Sequence, residues 1–168
     1  PELVARFEDV AVSRGFVDPK TGQLLVAVNY PGQFAHVASI DMRTGAMENI
    51  HEVKTPALYY VTSLAFDPAG RRLFYTTNNG KHWRDLNVID VEGRKSTRLI
   101  TDCRIGDLAF SPADSMLWGV QHHNGISTLV RISPPYNAWK CILPLMDMTW
   151  GRDIFDLDVS PDGKHVTA

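Results

Sequence analysis

A strand–turn–strand phrase that occurs four times constrains the fold of this chain more than any other feature. The clear copies are SLAFDPAGRRLFYTT at 63–77, IGDLAFSPADSMLWGV at 105–120 and DLDVSPDGKHVTA at 156–168, and a diverged copy, GFVDPKTGQLLVAV, occupies 15–28. In each copy a Ser-Pro or Asp-Pro turn separates two short apolar segments. The turn prolines are 49, 44 and 49 residues apart, at Pro19, Pro68, Pro112 and Pro161.

This spacing predicts the fold class. A period in the forties with strand content throughout is typical of a β-propeller, in which four-stranded antiparallel sheets, the blades, surround an axis. Asp41 follows Asp18 by 23 residues, and Asp90 follows Asp67 by the same interval, so the repeat extends beyond its opening phrase. We predict an all-β propeller of about three and a half repeats in one domain, 1–168. The expected blades are 10–55, 58–102, 104–145 and an incomplete 150–168, and 1–9 is expected to add an outer strand.

Composition excludes several classes of protein. The 168 residues carry a formal net charge of −2 and contain no dense Lys/Arg cluster, which argues against a nucleic-acid partner. No apolar run approaches the length of a membrane-spanning helix, roughly eighteen residues. Cys103 and Cys141 are predicted to lie several strands apart and to remain free.

Acidic residues near the C-terminal end form one candidate site. Asp156 and Asp158 are two residues apart on a predicted innermost strand, so both would face one side of the sheet, where they could bind a cation in a central channel. Asp107 occupies the place of Asp156 in the preceding repeat, which favours a repeated structural role instead. We therefore predict no metal and no other cofactor.

A second candidate is a recognition surface made of Trp83, His122, His123 and Trp139. The tryptophans lie next to predicted loops, where they would either pack between blades or contact a partner. Adjacent histidines on a strand face opposite ways, and no third metal ligand is suitably placed. The H-E-x-x-H and G-x-S-x-G patterns are also absent from the sequence, and we predict no catalytic residues.

The segment Ser160-Pro161-Asp162-Gly163-Lys164 resembles the repeat phrase of TolB-like propellers, which are relatives of the WD-type propellers. Residues 111–114 and 67–70 match the phrase in part, and the copy at 18–22 is one residue longer. The resemblance implies a propeller fold and an extracytoplasmic location, in the periplasm or at the cell surface. It also implies either a role in protein interaction or attachment to a hydrolase domain. The sequence itself leaves a cytoplasmic location open.

Two functional hypotheses follow. In the first, the chain is a non-enzymatic module that binds a protein or peptide; in the second, it is an accessory or gating propeller of a larger, peptidase-type hydrolase. Known propellers close with about four to eight blades. We therefore expect the chain to be a fragment of a longer protein, or to self-associate and complete a ring of about seven blades.

Overall fold

The computed structural model describes residues 6, 8, 10–54, 63–81, 83–144 and 156–168. Within those ranges all regular secondary structure is β-strand. The strands are β1 Ala11–Val12, β2 Phe16–Val17, β3 Leu24–Asn29, β4 His36–Ile40, β5 Met47–Glu52, β6 Ser63–Asp67, β7 Arg72–Asn78, β8 Arg84–Asp90, β9 Lys95–Ile100, β10 Ile105–Ser111, β11 Met116–His123, β12 Ile126–Ile132, β13 Trp139–Pro144, β14 Asp158–Val159 and β15 Val166–Thr167. The strand predicted at 1–9 falls largely outside the described residues.

The strands form antiparallel sheets in sequence order. The first blade has the order β1-β3-β4-β5, and β2 also pairs with β3. The second blade is β6-β7-β8-β9, the third is β10-β11-β12-β13, and β14 pairs with β15 in an incomplete fourth. The predicted all-β propeller class is thus confirmed. No helix in the described ranges is long and apolar enough to cross a membrane.

The inner strand of the first blade is divided in two. Between the pairs Val12↔Val28 and Phe16↔Leu25 the inner strand contains one residue more than β3, which is the arrangement of a β-bulge. At the break, the amide of Ser13 donates to the Ala27 carbonyl, and the Ser13 hydroxyl accepts from the Ala27 amide, both at 2.9 Å. The serine side chain thus replaces a ladder bond and keeps the two halves on one sheet.

Apolar residues cover the blade faces that meet. Leu25, Val37, Leu73 and Ile89 belong to one buried cluster joining the first and second blades. A second cluster joins the second and third blades, and a third packs Trp118 and other residues of the third blade against β14. Strands buried on both faces read as continuous apolar runs, as in LLVAVN of β3.

The repeated aspartates organise the turns. Asp18, Asp41, Asp67 and Asp90 each accept a hydrogen bond from the backbone amide of the residue two or three positions later, at 2.8–3.1 Å. Asp67 also forms a two-bond contact with the Arg72 guanidinium, at 2.6 and 3.0 Å. The 23-residue interval seen in the sequence therefore joins two turns of the same kind at the same end of a blade.

The insertion in the third repeat folds back into the core. Tyr136, at its centre, is 2% exposed, and its ring centroid lies 4.7 Å from that of Phe74 in the second blade. Its hydroxyl donates to the Ser115 carbonyl at 2.9 Å, and the Arg72 guanidinium carbon lies 5.0 Å from the ring centroid. Tyr136 therefore links the second and third blades.

Ion pairs connect the first and second blades at the end that carries the aspartate turns. Arg71 pairs with buried Asp18, and it also lies 3.4 Å from Glu92. Lys20 pairs with the same Glu92. The Asp18–Arg71 contact is the more buried of these, with side-chain exposures of 1% and 15%. It fixes the first turn against the second.

Candidate functional site

The strand registers place the predicted recognition residues at two opposite ends of the blades. In the third blade His123 pairs with Ile126 at the tip of the β11–β12 hairpin, whereas Trp139 pairs with Ile132 at the other end. Trp83 precedes β8 and lies at the hairpin-tip end of the second blade. The structure therefore groups Trp83 with the histidines and separates Trp139 from them.

We define the upper surface as Lys81, Trp83, Arg104, His122 and His123. At its centre the Arg104 guanidinium carbon lies 3.4 Å from the centroid of the Trp83 ring, a cation–π contact. The Arg104 carbonyl accepts the His122 amide at 3.0 Å, and the Arg104 amide donates to the Arg84 carbonyl at 3.1 Å. Arg104 thus connects the loops of two adjacent blades, while Trp83 remains 39% exposed.

A buried carboxylate holds this surface in place. Asp85 is 3% exposed and accepts bonds at 2.9 Å from the Asn79 side-chain amide and from the Asp102 backbone amide. The Asn79 side-chain oxygen in turn accepts the backbone amides of Lys81 at 2.9 Å and Trp83 at 3.1 Å. Because the loop is tied at both ends to one buried group, Trp83 is presented on a fixed support.

The two histidines differ in their surroundings. His122 is half-buried, and its Nδ1 lies 3.2 Å from the Ser127 hydroxyl. His123 is exposed at the hairpin tip. Within the described residues no group of three or more His, Cys, Asp or Glu side chains is arranged to hold a metal ion. The pair therefore contributes hydrogen-bonding groups to the upper surface.

A central cavity of about 300 Å³ is bordered by the inner strands of all four blades. Its polar lining includes Asp107 and Asp156, which both adopt positive φ, 47° and 58°. Burial raises the pKa of Asp107 and the nearby Asp156 carboxylate raises it further, while Arg84 and His122 oppose this. The shared backbone conformation agrees with a repeated role for the two aspartates in the inner strands.

Asp158 has a different environment from Asp156. Its carboxylate lies 3.0 Å from the Arg14 guanidinium of the first blade, which also donates to the Leu157 carbonyl at 2.9 Å. This contact joins the first blade to the incomplete fourth. An ion pair of this kind reduces the negative charge that Asp158 offers to a cation.

Calcium is accordingly expected to leave the melting temperature of the chain unchanged, because Asp158 is paired with Arg14. Differential scanning fluorimetry with millimolar CaCl₂, with Asp158→Ala and Asp156→Ala as comparison variants, tests this. A calcium-dependent rise in Tm that disappears in Asp158→Ala would contradict the structural interpretation of both residues.

Cys103 and Cys141 are both free, the first buried in the link into β10 and the second exposed on the outermost strand β13. Burial raises the pKa of the Cys103 thiol. These positions place the two sulfurs in different parts of the third blade, in agreement with the sequence. Neither contributes to the upper surface.

Comparison with known proteins gives a structural relationship only. No family model and no curated protein matches the sequence. TolB from Acinetobacter baumannii superposes with a TM-score of 0.70 at 15% identity, over 93% of this chain and 37% of TolB. A putative TolB from Agrobacterium tumefaciens gives a TM-score of 0.69 at 16% identity, over 89% of this chain and 50% of the other. The chain has the TolB-like β-propeller fold.

The same fold occurs in a hydrolase. Puromycin hydrolase gives a TM-score of 0.58 at 15% identity, over 83% of this chain and 22% of the enzyme. This TolB-like propeller chain therefore spans between about a fifth and a half of the three proteins described.

Some residues that build the upper surface gave no signal in the sequence. Arg104 and Asn79 belong to no recognisable motif, and the burial of Asp85 depends on how the link between blades crosses it. An alignment of the repeats would have placed His123 and the loop before Trp83 at equivalent positions. That alignment would also have separated Trp139 from them.

Proposed function

We propose that this TolB-like propeller chain is a non-enzymatic module that binds a protein or peptide through its upper surface. The observation that carries the proposal is the exposed Trp83 ring held against Arg104 at 3.4 Å on a buried support. Tryptophan and arginine are the residue types most enriched among energetic hot spots of protein interfaces. A fixed aromatic side chain also loses little conformational entropy on binding.

The upper surface combines an apolar ring with hydrogen-bond donors. Arg104 offers a guanidinium, Lys81 an exposed ammonium, and His123 an exposed imidazole. Such a set suits a partner that presents an apolar side chain beside carbonyl or carboxylate oxygens. The formal net charge of the chain, −2, supports a protein rather than a nucleic acid as that partner.

Site-specific photo-cross-linking tests the proposal. A photoreactive amino acid is placed at position 83, 123 or 139 in the full-length protein and irradiated in its native cells. Positions 83 and 123 should give the same discrete protein adduct, and position 139, at the opposite end of the third blade, should not. An adduct formed only from position 139, or no adduct from 83 and 123, would contradict the proposal.

A second candidate function is an accessory or gating propeller of a peptidase-type hydrolase, supported by the likeness to puromycin hydrolase. In that case the catalytic residues lie on segments outside this chain. The full-length sequence distinguishes the two functions directly. The isolated chain is expected to hydrolyse neither peptide nor ester substrates under either function, and turnover abolished by a single substitution in it would contradict both.

Two further properties belong to the proposal. An extracytoplasmic location is supported by the TolB-like repeat phrase and fold. Self-association into a closed ring is supported by the number of repeats, because known propellers close with about four to eight blades. Multi-angle light scattering tests this second property: a dimer mass supports it, and a stable monomer at high dilution contradicts it.

A further inference from the structure

A groove of about 650 Å³ opens between the outer parts of the first and second blades. One wall consists of six consecutive residues, 49–54, which include most of β5. The floor is formed by side chains of the second blade, namely Tyr75, Asn87, Ser96 and Arg98. None of these residues belongs to the upper surface.

The wall of the groove is the outer edge of a strand. In the described part of the chain β5 pairs with β4 alone, so its second edge has no strand beside it there. Such an edge presents alternating N–H and C=O groups that can pair with another extended segment. Peptide recognition by addition of a strand uses this geometry, with side-chain pockets supplying specificity.

The floor supplies polar groups that are already positioned. The Tyr75 and Ser96 hydroxyl oxygens are 2.7 Å apart, and Tyr75 is 3% exposed. Asn87 is 5% exposed, and its side-chain amide makes two long contacts, 3.4 Å to the Thr77 hydroxyl and 3.3 Å to the Asp85 carbonyl. Side chains projecting from a strand added to β5 would meet these hydroxyl and amide groups.

Arg98 gives the floor its charge preference. A guanidinium carries five N–H donors, and in the described ranges the ion pair of Arg98 is a 3.4 Å contact from Nε to Asp85. The Arg98 side chain is 51% exposed. On the wall, Glu52 and Lys54 neutralise each other at 3.0 Å, and burial lowers the pKa of His51 despite the opposing effect of Glu52. The unbalanced charge facing the groove is therefore positive.

We propose that this groove binds an extended peptide as an added strand along the outer edge of β5, with an acidic side chain of the peptide bound by Arg98. The site lies apart from the upper surface and goes beyond the proposed function. A wall of six residues accommodates a segment of about six residues, roughly 20 Å long. A carboxylate at Arg98 forms the charge-assisted, two-bond contact that arginine makes well.

Fluorescence anisotropy with a defined probe tests the charge requirement. The probe is a fluorescein-labelled hexapeptide, Thr-Val-Asp-Val-Thr-Ser, and its partner has Asn in place of Asp. We expect the Asp probe to bind at least about tenfold more tightly than the Asn probe, and Arg98→Ala to remove that difference. Arg98→Lys, which keeps the charge but not the two-bond geometry, should retain part of it.

Two control variants separate this site from other surfaces. Lys95→Ala removes an exposed cation from the same strand, β9, outside the groove, and Trp83→Ala alters the upper surface. Both should leave the Kd of the Asp probe unchanged. Equal binding of the Asp and Asn probes to the unsubstituted chain, or equal loss in Lys95→Ala and Arg98→Ala, would overturn the proposal.

Backbone N-methylation of the probe tests strand addition itself. An added strand pairs through alternate residues on one edge, so one probe is N-methylated at its odd positions and a second at its even positions. We expect one of the two to lose binding and the other to keep it. If both bind as well as the parent probe, or both fail, the peptide is not held as a strand on β5 and the proposal is wrong.

Discussion

Replacing Tyr136 with alanine is expected to lower the free energy of unfolding by about 3–5 kcal/mol, the range for removing a buried aromatic side chain. The ring is 2% exposed and packs on Phe74 in the neighbouring blade, so the substitution leaves a cavity at the junction of the second and third blades. Equilibrium urea denaturation followed by tryptophan fluorescence measures the change.

Tyr136→Phe is the matched control. It retains the ring and removes only the hydroxyl, which donates to the Ser115 carbonyl at 2.9 Å. We expect a loss of about 1 kcal/mol, the usual net value of one hydrogen bond. If Tyr136→Ala costs no more than Tyr136→Phe, the insertion does not pack between the blades as described.

Replacing Asp18 with alanine is expected to cost about 3 kcal/mol, the lower end of the range for breaking a buried ion pair. Asp18 is 1% exposed, and its removal leaves the Arg71 guanidinium with Glu92, at 3.4 Å, as its remaining ion-pair neighbour. Urea denaturation at pH 7 measures the loss. A change below about 1 kcal/mol, the value of a typical exposed pair, would contradict this description.

The Asp18 pair also predicts a pH dependence. Burial by itself would raise the pKa of Asp18, but the Arg71 guanidinium, the Lys20 amide and the Thr21 hydroxyl together lower it to about 2. A carboxyl whose pKa is lower in the folded state stabilises that state above its unfolded pKa, and the contribution is lost as the pH falls towards the folded value. The contribution of Asp18 is therefore complete at neutral pH and decreases from about pH 4 to pH 2.

The measurement compares the unsubstituted chain with Asp18→Asn at several pH values. Their difference in unfolding free energy should shrink by up to about 2 kcal/mol between pH 5 and pH 2, since one pKa unit corresponds to about 1.4 kcal/mol. A difference that stays constant over this interval would show that Asp18 is not ionised and paired in the folded chain.

The fold class could be predicted because its signals are local. Each turn depends on an aspartate or serine and a proline within a few residues, and each strand on a short apolar run. These signals repeat along the chain, so errors in one copy are corrected by the others. The 23-residue interval between Asp18 and Asp41 indicated equivalent turns for the same reason.

The candidate site could be predicted only in part, because its contacts join residues that are distant in sequence. Arg14 reaches Leu157, 143 residues away, and Arg72 reaches Tyr136, 64 residues away. No pattern in the sequence marks these pairs, since they arise from how one blade packs on the next. Trp139 was grouped with Trp83 because both are near loops, and only the strand register shows that those loops lie at opposite ends.

The measurement that tests the central claim most directly is the affinity of the cross-linked partner for three forms of the propeller. Trp83 and Trp139 are matched in exposure, 39% and 38%, and differ in the end of the blades they occupy. Trp83→Ala should raise the Kd by at least about 30-fold, the effect of losing a 2 kcal/mol hot spot, and Trp139→Ala should leave it within about twofold. Equal effects of the two substitutions, or a loss confined to Trp139→Ala, would contradict binding through the upper surface.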